Sequence, residues 1–169
     1  MSDKNYNLQH VSFLIVDDNE FMRSVVRAIL KAWNCRHVAE ARDGDEALKR
    51  LQVFPADVVI ADWEMSPMDG LDFTRKVRND PRSANRFVPI IMLTGHTAVE
   101  RVKIARDAGV HGFLAKPVQP KILFDRICEL VDRPRKFIKC DTYFGPDRNR
   151  RKAKDYRGPE RRQKPREYA

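Results

Sequence analysis

The run Val58-Val-Ile-Ala61, stopped by Asp62 and followed by a turn marked by Pro67, Asp69 and Gly70, constrains this chain most. Consecutive apolar residues without polar alternation suit a strand buried on both faces, the condition met in a parallel sheet flanked by helices. The last residue of such a strand lies at the carboxyl edge of the sheet, where open α/β folds place their ligands. Asp62 is therefore the residue the rest of the chain is expected to serve.

Other apolar runs repeat the pattern. Ser12-Phe-Leu-Ile-Val16 ends at Asp17-Asp18, the weaker His37-Val-Ala-Glu-Ala41 at the turn Asp43-Gly44, Val88-Pro-Ile-Ile-Met-Leu93 at Thr94-Gly95, and Gly112-Phe-Leu-Ala115 at Lys116-Pro117. Helical spacing fills the intervals. Phe21, Val25, Ile29 and Trp33 follow the N-cap Asn19, with Arg23, Arg27 and Lys31 on another face. A short helix spans Asp45 to Leu51. Leu71, Phe73, Thr74 and Val77 mark another, halted by Asn79-Asp80-Pro81. Val99, Val102, Ile104, Ala105 and Ala108 precede Gly109, and Ile122, Leu123, Ile127, Leu130 and Val131 precede Pro134. Five strands alternating with five helices imply right-handed crossovers and a doubly wound five-stranded parallel sheet with helices on both faces, a flavodoxin-like α/β fold.

Charge divides the chain. Residues 1–132 hold 19 Lys/Arg against 19 Asp/Glu, whereas residues 133–169 hold 14 against 5, so the net +9 resides entirely in the tail. The expected organisation is a polar N-terminal segment over 1–10, one domain over 11–132 and a basic tail over 133–169 with little core of its own. Cys35, Cys128 and Cys140 are odd in number and match no metal-ligand spacing; Cys35 and Cys128 sit in apolar-patterned helices and read as buried free thiols. No secretion signal or membrane-length run is seen, so the expectation is a cytoplasmic protein with no membrane partner.

A parallel sheet brings its strand ends to one edge. Asp17, Asp18, Asp62, Thr94 and Lys116 should thus converge: three carboxylates, a hydroxyl and an ammonium. Any one of them alone would pass for a solvated turn, a helix cap or a surface charge; together at successive strand ends they describe a site. Packed carboxylates repel and call for a hard cation, and Mg²⁺ suits oxygen ligands that bridge to a phosphoryl group. The set reads as a receptacle for a dianionic phosphoryl group attached at Asp62.

Residues 11–131 resemble the receiver domain of two-component response regulators, including the single-domain chemotaxis type. The match rests on Asp17-Asp18, on Asp62 with Met65, Asp69 and Gly70 after it, on Thr94, and on Lys116-Pro117, with Phe113 at the place of the switch aromatic. The resemblance implies that Asp62 is the phosphoacceptor and that Asp18 and Asp62 ligate Mg²⁺ with the Glu64 backbone carbonyl, Asp17 acting mainly through water. It implies that Lys116 pairs with the phosphoryl group and is held by a cis bond to Pro117. It also implies a phosphohistidine donor on a sensor histidine kinase or histidine phosphotransfer protein, and a switch in which Thr94 moves inward and Phe113 follows. The face of the last two helices and fifth strand would then change. Glu64 and His96 fall where family members tune phosphoryl lifetime. One departure is visible: Ser66 stands where the family has proline, and Pro67 follows one place later. Trp63, beside the acceptor, reads as exposed rim or as functional.

The tail carries a weak repeat, Tyr143-Phe-Gly-Pro-Asp-Arg148 and Tyr156-Arg-Gly-Pro-Glu-Arg161. It reads as a solvated extension, as an arm docking Phe137, Tyr143, Phe144 and Tyr156 on the receiver or a partner, or as a nucleic-acid binder stacking aromatics on bases. Docking is favoured, and receiver-controlled nucleic-acid binding comes next. A Mg²⁺-dependent aspartyl phosphohydrolase is the enzyme-class alternative. It is disfavoured because hydrolases of the haloacid dehalogenase type use Asp-x-Asp after strand one, unlike Asp17-Asp18-Asn19. The leading reading is a phosphorelay receiver that is not a turnover enzyme.

Overall fold

The structure is a computed structural model that describes residues 6–95, 99–148 and 166–168. Strands β1 (Ser12–Val16), β2 (His37–Ala41), β3 (Val58–Asp62), β4 (Ile90–Thr94) and β5 (Gly112–Ala115) alternate with α1 (Glu20–Ala32), α2 (Gly44–Val53), α3 (Gly70–Asn79), α4 (Val99–Ala108) and α5 (Pro120–Asp132). The sheet order is β2-β1-β3-β4-β5, parallel throughout, with Val16 level with Ala61 and Thr94 level with Ala115. This is the expected doubly wound, flavodoxin-like sheet. Its strand order reverses between β1 and β3, which opens a crevice at that carboxyl edge.

The alternation of side chains along each strand sorts the core into two layers. Leu14, Val16, Val59 and Ala61 face Ala47, Leu51, Phe73 and Val77 of α2 and α3. Phe13, Ile15, Val58 and Ile60 face Val26, Leu30, Leu123 and Ile127 of α1 and α5. Each fully buried branched side chain contributes roughly 1.5–3 kcal/mol of transfer free energy, so both layers resist any change of register. Side-chain caps start three helices: Asn19 accepts from the Met22 amide, Asp43 from Glu46 and Asp69 from Asp72. Pro120 opens α5, where its missing N–H costs nothing.

Several expectations need correction. β4 begins at Ile90 rather than Val88; Pro89 lacks an N–H to donate but still accepts from the Val59 amide at 2.8 Å. The buried stripe of α1 centres on Val26 and Leu30, leaving Phe21 71% exposed. Residues 6–10 of the polar N-terminal segment pack on the domain, because Leu8 is buried and the Tyr6 ring meets Phe124 edge-on. Cys35 is buried, but Cys128 is half-buried and Cys140 exposed; all three are free thiols.

Residues past α5 form a second sheet in which β6 (Phe137–Cys140) pairs antiparallel with β7 (Tyr143–Pro146) and with β8 (Arg166–Tyr168), in the order β7-β6-β8. Phe137, Tyr143 and Phe144 are buried without a core of their own. Their burial comes from the receiver surface: Phe137 and Phe144 pack edge-on against Phe87, at ring-centroid separations of 5.0 and 5.4 Å. Tyr156, in the second copy of the repeat, lies outside the described residues.

Beneath Phe137 lies Arg78, at 0% exposure. Its guanidinium donates to the carbonyls of Gly109 at 3.1 Å, Arg86 at 2.8 Å and Val88 at 2.8 Å. Burial lowers its pKa to about 9. Three carbonyls, two from the loop before β4 and one from the residue after α4, thus satisfy one buried cation, and the Phe137 face closes over it at 5.3 Å. His111, also buried, accepts at Nδ1 from the Ile90 amide at 3.4 Å and faces Arg78, so its proton belongs on Nε2.

Candidate functional site

The site assembles where four strands end. After Val16, Asp17 keeps the sheet's direction for one more residue, its amide donating to Ala41 at 3.2 Å while its Oδ1 accepts from the Asn19 amide at 2.9 Å. Asp17 is buried and Asp18, next along, is exposed. Asp62 closes β3 at 3% exposure, with the Trp63 amide still bonded to the Leu93 carbonyl at 2.9 Å. Thr94 closes β4, equally buried, and its carbonyl accepts from the Lys116 amide at 2.9 Å.

These backbone positions bring side chains together. One carboxylate oxygen each from Asp17, Asp18 and Asp62 lies within 4.8 Å of the others. Lys116 Nζ sits 2.8 Å from Asp62 Oδ1 and 3.3 Å from Asp17 Oδ2. Burial raises the Asp62 pKa, and the Asp17 charge adds to it, although Lys116 pulls the other way. Burial also opposes the Lys116 ammonium, but the bond to Asp62 and the charges of Asp17 and Asp62 outweigh it and raise its pKa. The contact itself acts in one sense on both partners, lowering Asp62 against its burial and raising Lys116, and a 2.8 Å separation is that of a charge-assisted ion pair.

Three carboxylates against one ammonium leave excess negative charge in a crevice. The donor set is all oxygen and partly exposed at Asp18, which fits a small hard cation that retains its waters. The Glu64 backbone carbonyl follows β3 in the same turn.

The turn after Asp62 is held from both ends. The Gly70 amide donates to the Trp63 carbonyl at 2.9 Å, and Met65 and Met68 are buried while Ser66 and Pro67 are exposed. Both Ser66–Pro67 and Lys116–Pro117 are cis. Gly70 is required by space: a Cβ there would lie 2.2 Å from the Asp62 carbonyl oxygen.

Trp63 is not exposed rim. It is buried with Leu71, Met92, Ala105, Ala108 and Val110, and half-buried Phe113 packs against the same cluster. The cluster joins the residue after Asp62 to the inner face of α4. The structural roles of two residues are not legible in the sequence. Arg23 reads there as a solvated helix face, yet its Nη1 donates to the Asp17 carbonyl at 2.8 Å and its Nε pairs with Glu40 at 3.2 Å, fastening the acidic turn. Its place one turn after Asn19 was the available signal. Gly70 reads there as a turn marker and as part of the family match, without the close approach to the Asp62 carbonyl that requires it. His96 lies outside the described residues.

Residues 13–128 match the response regulator receiver domain family. The chain is 33% identical over 123 residues to chemotaxis protein CheY of Pseudomonas aeruginosa, which covers 73% of this chain and 98% of that protein. Chemotaxis protein CheY1 of Helicobacter pylori is 36% identical over 118 residues, covering 69% and 94% respectively. Among solved structures, chemotaxis protein CheY4 of Vibrio cholerae aligns with a TM-score of 0.65 at 34% identity, over 70% of this chain and 97% of that one. With that sheet order and that acidic edge, the chain belongs to the response regulator receiver family and carries a CheY-like receiver domain of two-component signal transduction.

Proposed function

We propose that Asp62 accepts a phosphoryl group from a phosphohistidine on a sensor histidine kinase or histidine phosphotransfer protein. The observation that carries this is the pairing of a buried strand-end carboxylate with Lys116 Nζ at 2.8 Å, inside a cluster of three carboxylates within 4.8 Å. An Asp62 carboxylate oxygen attacks phosphorus, the P–N bond of the donor breaks, and the donor imidazole leaves with the electron pair. No strong base is needed, because the carboxylate is itself the nucleophile. Lys116, already in contact with both Asp62 and Asp17, follows the new negative charge onto the phosphoryl oxygens. Thr94, at the end of the neighbouring strand, supplies a hydroxyl to those oxygens.

Asp17, Asp18 and Asp62, with the Glu64 carbonyl, would hold Mg²⁺. When bound, the ion neutralises charge on the transferring group. The response is a charge event acting on a packed two-state element. Movement of Thr94 vacates space beside Phe113, which already leans on the Trp63–Ala105 cluster, and the surface of α4, β5 and α5 changes for a protein partner. The receiver takes and loses its own phosphoryl group and is not a turnover enzyme.

Incubation with Mg²⁺ and acetyl phosphate tests the assignment. One phosphoryl group per chain by intact mass is expected, and none in Asp62→Asn. Undiminished labelling of Asp62→Asn, or steady hydrolysis of phosphate esters, would remove the reading. The concentration of the whole +9 in residues 133–169 supports a second role, receiver-controlled nucleic-acid binding. Such binding should fall steeply with salt, and salt-insensitive or absent binding to RNA and DNA excludes it.

A further inference from the structure

We infer that the segment 137–148 is an intramolecular latch on the C-terminal end of α4, which holds α4 in its unphosphorylated position and is loosened when Asp62 is phosphorylated. The inference rests on the receiver reading above and concerns how that site is regulated. Three observations carry it.

The first is where the arm lands. Arg148 Nη1 pairs with Asp107 Oδ1 of α4 at 3.2 Å, and the Arg148 guanidinium lies over the Tyr143 ring at 3.7 Å. The Tyr143 hydroxyl donates to the Pro146 carbonyl at 2.7 Å, so ring, turn and arginine form one unit. A Cβ on Gly145 would come within 3.0 Å of Gly109 Cα and 2.5 Å of the Tyr143 hydroxyl oxygen. The arm backbone therefore rests on the residue that terminates α4. Gly109 itself has φ +98, a conformation that L side chains rarely adopt.

The second is continuity with the site. Ala105 and Ala108, flanking Asp107 on the helix, pack in one cluster with Trp63, Leu71, Met92 and Val110, against which Phe113 also lies. Trp63 adjoins Asp62, Met92 lies two residues before Thr94 on β4, and Phe113 lies three before Lys116. An inward movement of Thr94 and Phe113 thus presses on the inner face of the helix whose far end the arm clamps. Packed clusters of this kind shift between discrete arrangements rather than deforming continuously.

The third is that the clamp is built to be reversible. Asp107 and Arg148 side chains are 48% and 34% exposed, so their ion pair is screened and weak. Arg148 Nε is buried with no hydrogen-bond partner among the described residues, a penalty that opposes permanent closure. Phe137, Phe144 and Arg86, by contrast, anchor the arm's base: the Arg86 guanidinium lies 4.3 Å over the Phe144 ring. The arm can therefore release α4 at Arg148 while remaining attached at Phe137 and Phe144.

Coupling is reciprocal: if phosphorylation loosens the arm, loosening the arm favours phosphorylation. The test uses the full chain with Mg²⁺ and acetyl phosphate, reading the labelled fraction by intact mass and backbone amide exchange over 137–146 and 102–109. Labelled chain should exchange at least about fivefold faster over both segments, the lower end of usual coupling, with no change in Asp62→Asn treated alike. Asp107→Ala and Arg148→Ala, neither of which touches the site, should each raise arm exchange and the rate of labelling about two- to fivefold. Gly145→Val, which drives a side chain into Gly109, should exceed both. Labelled chain whose arm exchanges at the same rate or more slowly overturns the latch while leaving the receiver reading intact. Failure of any label to form sinks the receiver reading and the latch with it.

Discussion

Replacing Gly70 by alanine should separate what the loop beside Asp62 does for stability from what it does for chemistry. The added Cβ would fall 2.2 Å from the Asp62 carbonyl oxygen, and 3.1 Å from both the Asp62 carbonyl carbon and Trp63 Cα. A comfortable carbon–oxygen approach is about 3.3 Å or more, so the backbone of Asp62 must retreat by roughly 1 Å. All the close atoms are backbone, and no side chain can swing away to absorb the change. Against this, alanine in a helix is favoured over glycine by roughly 0.5–1 kcal/mol, whereas forcing atoms into filled space costs about 1–3 kcal/mol. Overpacking wins, and a net loss of about 1–2 kcal/mol is expected, small enough for the domain to remain folded. The chemical effect is larger, because a 1 Å misplacement of reacting groups can cost about 100-fold in rate. Labelling by acetyl phosphate, followed by intact mass alongside urea melts, gives both quantities. Gly95 provides the control: a Cβ there meets nothing within 4 Å, so Gly95→Ala should label within a factor of about two of the parent. A folded Gly70→Ala that labels at the parent rate would refute the argument that the α3 N-terminus positions Asp62.

Other substitutions report on separate parts of the molecule. Lys116→Met leaves Asp17, Asp18 and Asp62 clustered without their ammonium and should slow labelling about 100-fold; an unchanged rate would remove Lys116 from the chemistry. Arg78→Lys keeps a buried charge but loses the fork that reaches three carbonyls; losing two such bonds costs about 3–6 kcal/mol, visible as a lower urea midpoint, and an unmoved midpoint would contradict it. His111, its pKa pushed well below 6.5 by burial and by Arg78 and Arg135, stays neutral in the folded chain. The unfolded chain takes up that proton near pH 6.5, so stability from this group is complete above that pH and is lost as pH falls toward the folded value. His111→Asn should remove a slope of up to about 1.4 kcal/mol per pH unit below 6.5, and an identical acid limb in both proteins would exclude the effect. Exchange of Glu64 or His96 should alter the half-life of phospho-Asp62 without preventing its formation, and equal decay in a phosphate-release assay would count against lifetime tuning.

The sequence alone determined the sheet and which residues gather at its carboxyl edge. Runs such as Ser12–Val16 and Val58–Asp62 declare buried strands because burial on two faces leaves no polar alternation to mistake. Once the strands are parallel, the residues ending them must share an edge, so Asp17, Asp18, Asp62, Thr94 and Lys116 were legible without coordinates. Tertiary structure decided everything that needed partners from elsewhere in the chain. Arg78 looks like an ordinary charge at the end of a helix until carbonyls at 86, 88 and 109 converge on it. Trp63 is buried only because α4 brings Ala105 and Ala108 over it. Phe137, Tyr143 and Phe144 sit in a stretch too poor in aliphatic residues to fold by itself, and no local pattern reveals that Phe87, Arg78 and Arg86 wait on the receiver to receive them. Periodicity records which side of a strand or helix faces inward. It does not record which distant surface covers it, because that depends on how the finished layers meet.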